Sequence, residues 1–108
     1  MKIAIASEGK DEKSKISSRG GRAPYYLIFE DKNLVKVIKN PFATGGGGAG
    51  YSVAYMLENE KVDLVIAKKI GQNMKSALQE RTIKFREKSG EGSIELNQAF
   101  SEDEDTVD

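Results

Sequence analysis

The run Tyr25-Tyr26-Leu27-Ile28-Phe29-Glu30-Asp31-Lys32-Asn33-Leu34-Val35-Lys36-Val37-Ile38-Lys39 decides the fold. Tyr25 to Phe29 is a continuous aromatic and β-branched-rich stretch, the pattern of a buried strand. Asp31-Lys32-Asn33 is a tight turn by composition. Leu34 to Lys39 follows as a further strand, so the two pair as an antiparallel hairpin. Asn40-Pro41 closes it, because proline has no N–H to continue a ladder.

Upstream, Lys2 to Ser7 alternates Ile3 and Ile5 with Ala4 and Ala6, which suggests a central strand covered on both faces. Between that strand and the hairpin, Glu8 to Ser18 is charged and polar around an isolated Ile16, and it reads as a mobile loop. Downstream, Gly50 to Asn59 carries Val53, Ala54 and Leu57 at helical spacing. Val62 to Ala67 reads as a fourth strand, and Asn73 to Glu80 as a second helix with Met74, Ala77 and Leu78 on one face. Ile83 and Phe85 alternate with Lys84 and Arg86, an edge strand with one wet face. Ser93 is placed to cap a last short helix with Ile94, Leu96, Ala99 and Phe100 as its apolar contacts. The order is β-β-β-α-β-α-β-α. The hairpin and the right-handed crossovers required of strand–helix–strand units are both met by one arrangement. It is an α/β single domain with a five-stranded mixed sheet ordered 3-2-1-4-5, strand two antiparallel to the rest, and helices on both faces. That is a ribonuclease-H-like arrangement.

Composition narrows the chemistry. A chain of 108 residues, 38% hydrophobic and 31% charged, makes one soluble globular domain. No apolar run approaches the ~20 residues that span a bilayer, and Met1 to Ala6 reads as a strand rather than a signal peptide. The expected location is cytoplasmic. The chain has no cysteine, hence no disulfide and no thiolate ligand, and no histidine, the commonest metal ligand and near-neutral base. The net charge of zero conceals an asymmetry, since all 17 basic residues lie in residues 1–100 and five of the 17 acids lie in the tail 101–108. The expected division is therefore a folded body, 1–100, and an acidic tail without apolar anchors that stays disordered.

Taking strand one as pointing up, the topology gathers the unusual residues at the top of the sheet. The turn Arg19-Gly20-Gly21-Arg22, the run Gly45 to Gly50 and Lys68-Lys69 all fall there, with the starts of two helices near Gly50 and Asn73. The crossover direction reverses beside strand one, which opens a crevice at that end. Cationic side chains, glycine backbone and helix N-termini with unpaired N–H groups together make an anion site. The candidate ligand-binding residues are Arg19, Arg22, Gly47, Gly48, Gly50 and Lys69. Each also has a structural reading: the glycines as a linker, Arg22 in an ion pair or packed on Tyr25, and Lys69 as a solvated loop residue.

Other chemistries fit poorly. Gly45-x-Gly47-x-x-Gly50 matches a dinucleotide fingerprint only because a glycine run matches trivially, and it follows the third strand rather than the first. No Gly-Lys-Ser/Thr follows, so there is no P-loop. A two-metal nuclease needs clustered carboxylates, whereas strand one carries none and Asp63 falls at the opposite end of the sheet. No catalytic constellation is found, so no enzymatic activity is expected.

The segments Gly21-Arg22-Ala23-Pro24-Tyr25-Tyr26-Leu27-Ile28, Asn40-Pro41, Gly47-Gly48-Ala49-Gly50, Val62-Asp63-Leu64-Val65-Ile66-Ala67 and Ile70-Gly71-Gln72-Asn73, in this order, resemble the nitrogenase iron–molybdenum cofactor biosynthesis family, the NifB/NifX-type small domain. The resemblance covers roughly residues 2–100. It implies the same fold and a non-catalytic carrier that binds an iron–sulfur or iron–molybdenum cluster precursor and passes it between a donor and an acceptor protein. The family often has His then Phe just before the Gly-Arg-Ala-Pro element, where this chain has Arg19 and Gly20. It commonly has Gly and Pro around the second helix start, where Lys69 and Gln72 stand here. Without Cys or His, a cluster would be held through its charge by backbone N–H groups, Arg and Lys. Two alternatives stay open: a regulatory module binding a small phosphorylated or carboxylated molecule, and an interaction protein whose crevice is vestigial. No nucleic acid or membrane is expected as partner, and the chain is expected to be a monomer or weak homodimer.

Overall fold

The computed structural model describes residues 1–45, 47–88, 93–94 and 106–107. Strand β1 (Lys2–Ser7) lies centrally, flanked by antiparallel β2 (Tyr25–Glu30) and parallel β4 (Leu64–Ala67). Strand β3 (Asn33–Lys39) completes the hairpin with β2, and β5 (Lys84–Glu87) runs parallel to β4. The expected order β3-β2-β1-β4-β5 is therefore the observed one, with β2 antiparallel. A two-residue strand, β6 (Thr106–Val107), pairs antiparallel with β5 as a sixth member of the sheet. A tail without structure was expected there. The open edge of β5 instead offers backbone partners to two β-branched residues, while 101–105 and 108 lie outside the described residues.

The hairpin turns through Asp31 (φ 52°) and Lys32 (φ 69°), both left-handed, which is the two-residue geometry whose twist matches the flanking strands. Helix α1 (Ala49–Asn59) joins β3 to β4, and α2 (Gln72–Glu80) joins β4 to β5. Each ends on a non-glycine left-handed residue, Lys61 (φ 60°) and Thr82 (φ 58°). Each end also closes with a backbone N–H reaching back to the carbonyl five residues earlier, Val62 to Leu57 and Ile83 to Leu78.

Both helices pack on one face of the sheet. Val53, Ala54 and Leu57 of α1 and Met74, Ala77 and Leu78 of α2 share a core with Ala4, Ala6, Tyr26, Ile28, Val65 and Phe85. The alanines of β1 leave room for the helices to approach. The opposite face carries Ile5, Leu27, Phe29, Leu64 and Ile66, covered by Ile16 and Ile94 rather than by a described helix. Helices on both faces were expected. The helix that would cover this side, 93–100, lies outside the described residues except for Ser93 and Ile94.

Two local expectations are corrected. The 8–18 segment is not a free loop: Ile16 is buried and bridges to Ser7, Lys15 bridges to Ser93, and Ser17 donates its N–H to the Ala6 carbonyl at 2.8 Å. The single apolar residue of that segment is what pins it. The wet face assigned to β5 is also mistaken at Arg86, which lies opposite Ile66 in register and is 5% exposed.

Candidate functional site

The top end of the sheet is assembled around the turn 18–22. Ser17 bonds to β1 below it and accepts the Lys68 N–H at 3.0 Å, joining this turn to the loop after β4. Gly20 donates its N–H to the Lys69 carbonyl at 3.0 Å and accepts the hydroxyl proton of Tyr26. Tyr26 is fully buried, and burial pushes its phenol far above the usual range, so it remains a protonated donor. Asn40, 4% exposed, holds the next residues: its Nδ2 donates to the carbonyls of Gly21 (3.2 Å) and Ala23 (2.9 Å), and its Oδ1 accepts the Phe42 N–H (3.0 Å). On the far side, the Glu87 carboxylate accepts the Ile70 N–H at 2.8 Å and pairs with Lys75 at 3.5 Å, fixing the loop that leads into α2.

Glycines bring the walls together. A Cβ on Gly50 would lie 2.9 Å from the Met74 nitrogen and 3.0 Å from its Cβ, so the first turns of α1 and α2 touch through Gly50. A Cβ on Gly21 would lie 3.2 Å from the Gly50 nitrogen, so the 18–22 turn closes on the same point. Gly48 caps α1 in the left-handed region (φ 85°), and Gly71 caps α2 with ordinary extended backbone (φ −68°, ψ 160°). Neither helix has a side-chain cap or an acidic residue in its first turn. Among the described residues no side chain caps their leading N–H groups, which stand at the positive ends of two helix dipoles.

These pieces enclose a cleft of about 470 Å³. Its cations are Arg19, Arg22 and Lys69, its backbone wall is Gly48 to Gly50 and Gly71 to Asn73, and Met74 forms part of the floor. Among the described residues, no aspartate or glutamate lines it. Asp63 sits at the other end of the sheet, where it accepts the Lys2 N–H at 2.8 Å. Among the described residues no group of three or more acidic, histidine or cysteine side chains is placed to hold a metal ion. None of the described helices is long and apolar enough to cross a membrane.

Of the residues singled out in the sequence, Arg19, Arg22, Gly48, Gly50 and Lys69 line this cleft. Gly47 does not. It lines a neighbouring cavity of about 120 Å³ with Thr44, Ser52 and Arg22. Arg22 borders both spaces and donates to the Phe42 carbonyl at 3.1 Å, which ties the 41–45 segment to the turn. Tyr26, Asn40, Glu87 and Gly71 are the supporting residues that the pattern did not reveal. The pairing of Asn40 with the Gly-Arg-Ala-Pro element is the one signal that could have pointed to them.

A family model described as dinitrogenase iron-molybdenum cofactor matches residues 1–101. Among solved structures, the chain is 32% identical to a Thermotoga protein provisionally described as NifB, solved by NMR, with a TM-score of 0.78 over 94% of this chain and 88% of that one. It also superposes on the apo form of the orange protein from Desulfovibrio gigas, with a TM-score of 0.81 at 24% identity over 92% and 85% of the two chains. A Methanocaldococcus jannaschii protein provisionally described as a dinitrogenase gives 0.66 at 20% identity over 99% and 94%. The last two, at that identity, speak for the fold alone. A search of curated proteins finds no match.

Proposed function

The chain belongs to the dinitrogenase iron-molybdenum cofactor family, and we propose that it is a non-catalytic binding protein whose cleft holds an anionic metal cluster or a similar anion. The observation that carries this reading is the lining of the cleft, which among the described residues has three cations, two helix starts without side-chain caps, and no carboxylate. Backbone N–H groups that are already oriented cost little reorganisation when a charged ligand arrives, and charge-assisted hydrogen bonds are the stronger kind. The family's description, dinitrogenase iron-molybdenum cofactor, supports placing the cargo among metal clusters of cofactor assembly, and this reading implies a donor or acceptor protein as partner.

The donor set shapes how such a cargo would sit. The chain contains no cysteine or histidine, and Met74 supplies a single buried thioether. A cluster here is therefore cargo gripped by charge and hydrogen bonds rather than by thiolate or imidazole bonds. The same donors suit a small phosphorylated or carboxylated molecule, which is the second reading.

Anaerobic reconstitution with iron and sulfide, followed by gel filtration, separates the two. Visible absorption that elutes with the protein and is lost in Arg22→Ala supports the cluster reading. A colourless protein whose melting temperature rises with phosphate, molybdate or carboxylated metabolites supports the second. A colourless protein indifferent to every anion defeats both.

A further inference from the structure

We infer that Tyr26 is a positioning residue: its hydroxyl, through Gly20, sets the spacing of the two cationic walls of the cleft. The inference rests on the anion-binding reading above. Tyr26 is fully buried, paired in the sheet between Ala6 and Ile38, and part of the core that receives both helices. Phenylalanine would serve that apolar duty, as Phe29 serves the core on the opposite face of the same strand. What tyrosine adds is one desolvated donor, and it is spent on the Gly20 carbonyl. The N–H of Gly20 is spent in turn on the Lys69 carbonyl.

Gly20 is thus clamped on both sides, one bond to the sheet core and one to the opposite wall. It lies directly against the opposite wall, since a Cβ there would stand 3.0 Å from the Met74 sulfur and 3.6 Å from the Lys69 carbonyl oxygen. The residues carried by this clamp are Arg19, next in the chain to Gly20, and Lys69 itself, both lining the cleft. Two like charges on neighbouring segments repel, and a flexible pair of loops would relax apart. The Tyr26–Gly20–Lys69 relay holds them together before a ligand arrives, and an anion between them then relieves the repulsion. Preorganisation of this kind raises affinity by removing the cost of ordering the site on binding. Nothing in the relay touches the ligand, so Tyr26 acts through the backbone it fixes.

The test is Tyr26→Phe, which removes the hydroxyl and leaves the ring. Molybdate is titrated calorimetrically into both proteins where urea curves show each fully folded, so a loss of global stability does not enter the affinity. The expected result is binding weaker by about tenfold, the equivalent of one hydrogen bond. A smaller dependence of affinity on ionic strength should accompany it, because the charges have moved apart. Amide exchange supplies a readout that does not depend on the variant: in the unsubstituted protein, saturating molybdate should slow exchange of the Gly20 N–H more than that of amides in β1 and β4. Wild-type affinity in a folded Tyr26→Phe protein overturns the inference and leaves the anion site standing. So does a Gly20 amide indifferent to bound molybdate. If the unsubstituted protein does not bind molybdate, this inference falls together with the anion-binding reading.

Discussion

Gly50→Ala should destabilise the fold, while Gly71→Ala, one helix start away, should not. The added Cβ at Gly50 meets the nitrogen, Cα and Cβ of Met74 at 2.9, 3.1 and 3.0 Å, and none of these is the tip of a flexible side chain. Relief requires the two helix starts to separate, and overpacking of this kind costs about 1–3 kcal/mol. Alanine recovers part of it, up to about 1 kcal/mol, through its better helix propensity, so the net loss is about 1–2 kcal/mol. At Gly71 the backbone is ordinary and a Cβ meets nothing within 4 Å. There the substitution stabilises by about 0.4–1 kcal/mol through the unfolded chain. The two variants should therefore differ by roughly 2 kcal/mol, which at a urea slope of about 1–2 kcal/mol/M separates their midpoints by about 1–2 M. Anion titration adds an opposite ordering, because Gly71 lines the cleft and a methyl group there takes room from a ligand. The more stable variant should be a weaker binder than the wild type. Equal midpoints for Gly50→Ala and Gly71→Ala would show that the helix starts do not converge as described, and the account of how the cleft forms would fail with them.

Arg22→Ala should weaken anion binding by about 1.5–3 kcal/mol if its contact with the ligand is desolvated, with a loss of about 1 kcal/mol in urea unfolding for the bond to the Phe42 carbonyl. Unchanged anion affinity with a large stability loss would assign it to structure alone. Thr82→Gly should raise stability by about 0.5–1 kcal/mol in the same assay, since a β-branched residue holds a left-handed helix terminus that glycine occupies freely. Absorbance at 295 nm on raising the pH should show Tyr26 ionising only as the fold is lost. Because burial raises the Tyr26 phenol above its unfolded value, its stabilising contribution is complete below about pH 10 and is lost above it. Ionisation of Tyr26 in a folded protein would contradict that burial.

The sheet was legible because its two constraints are local in sequence. A hairpin is specified by Tyr25 to Lys39 alone, and the crossovers by the alternation that follows. Ala4 and Ala6 looked apolar on both faces, and they are, but periodicity does not say which face receives a helix. That depends on which side of the sheet each crossover passes, and in the structure both described helices take the Ala4 side. The error at Arg86 has the same origin. Alternation of charge with apolar residues reads as one wet face, yet a long aliphatic stem can lie along a buried surface and register opposite Ile66. Ile16 was visible as an isolated apolar residue. Its partners, Leu27, Ile66 and Ile94 among them, lie too far along the chain for spacing to announce.

The site was legible as a place and less so as a set of roles. Charges and glycines could be assigned to one end of the sheet from topology, and Arg19, Arg22, Gly48, Gly50 and Lys69 do meet there. What sequence cannot distinguish is a glycine that makes room for a ligand from one that makes room for the protein. Gly48 faces open space in a left-handed conformation, whereas Gly50, two residues on, is filled by the backbone of Met74. Of these two glycines, the first leaves a helix start bare and the second holds it against its neighbour. The division follows from a contact with another helix, and it explains why a site can need both. The open glycine exposes N–H groups only if the closed one keeps them pointed at the same volume as those of α2. Binding and packing are here two consequences of one arrangement, so substitutions must be judged by affinity and stability on the same protein, and the glycine series is the place where the two should part.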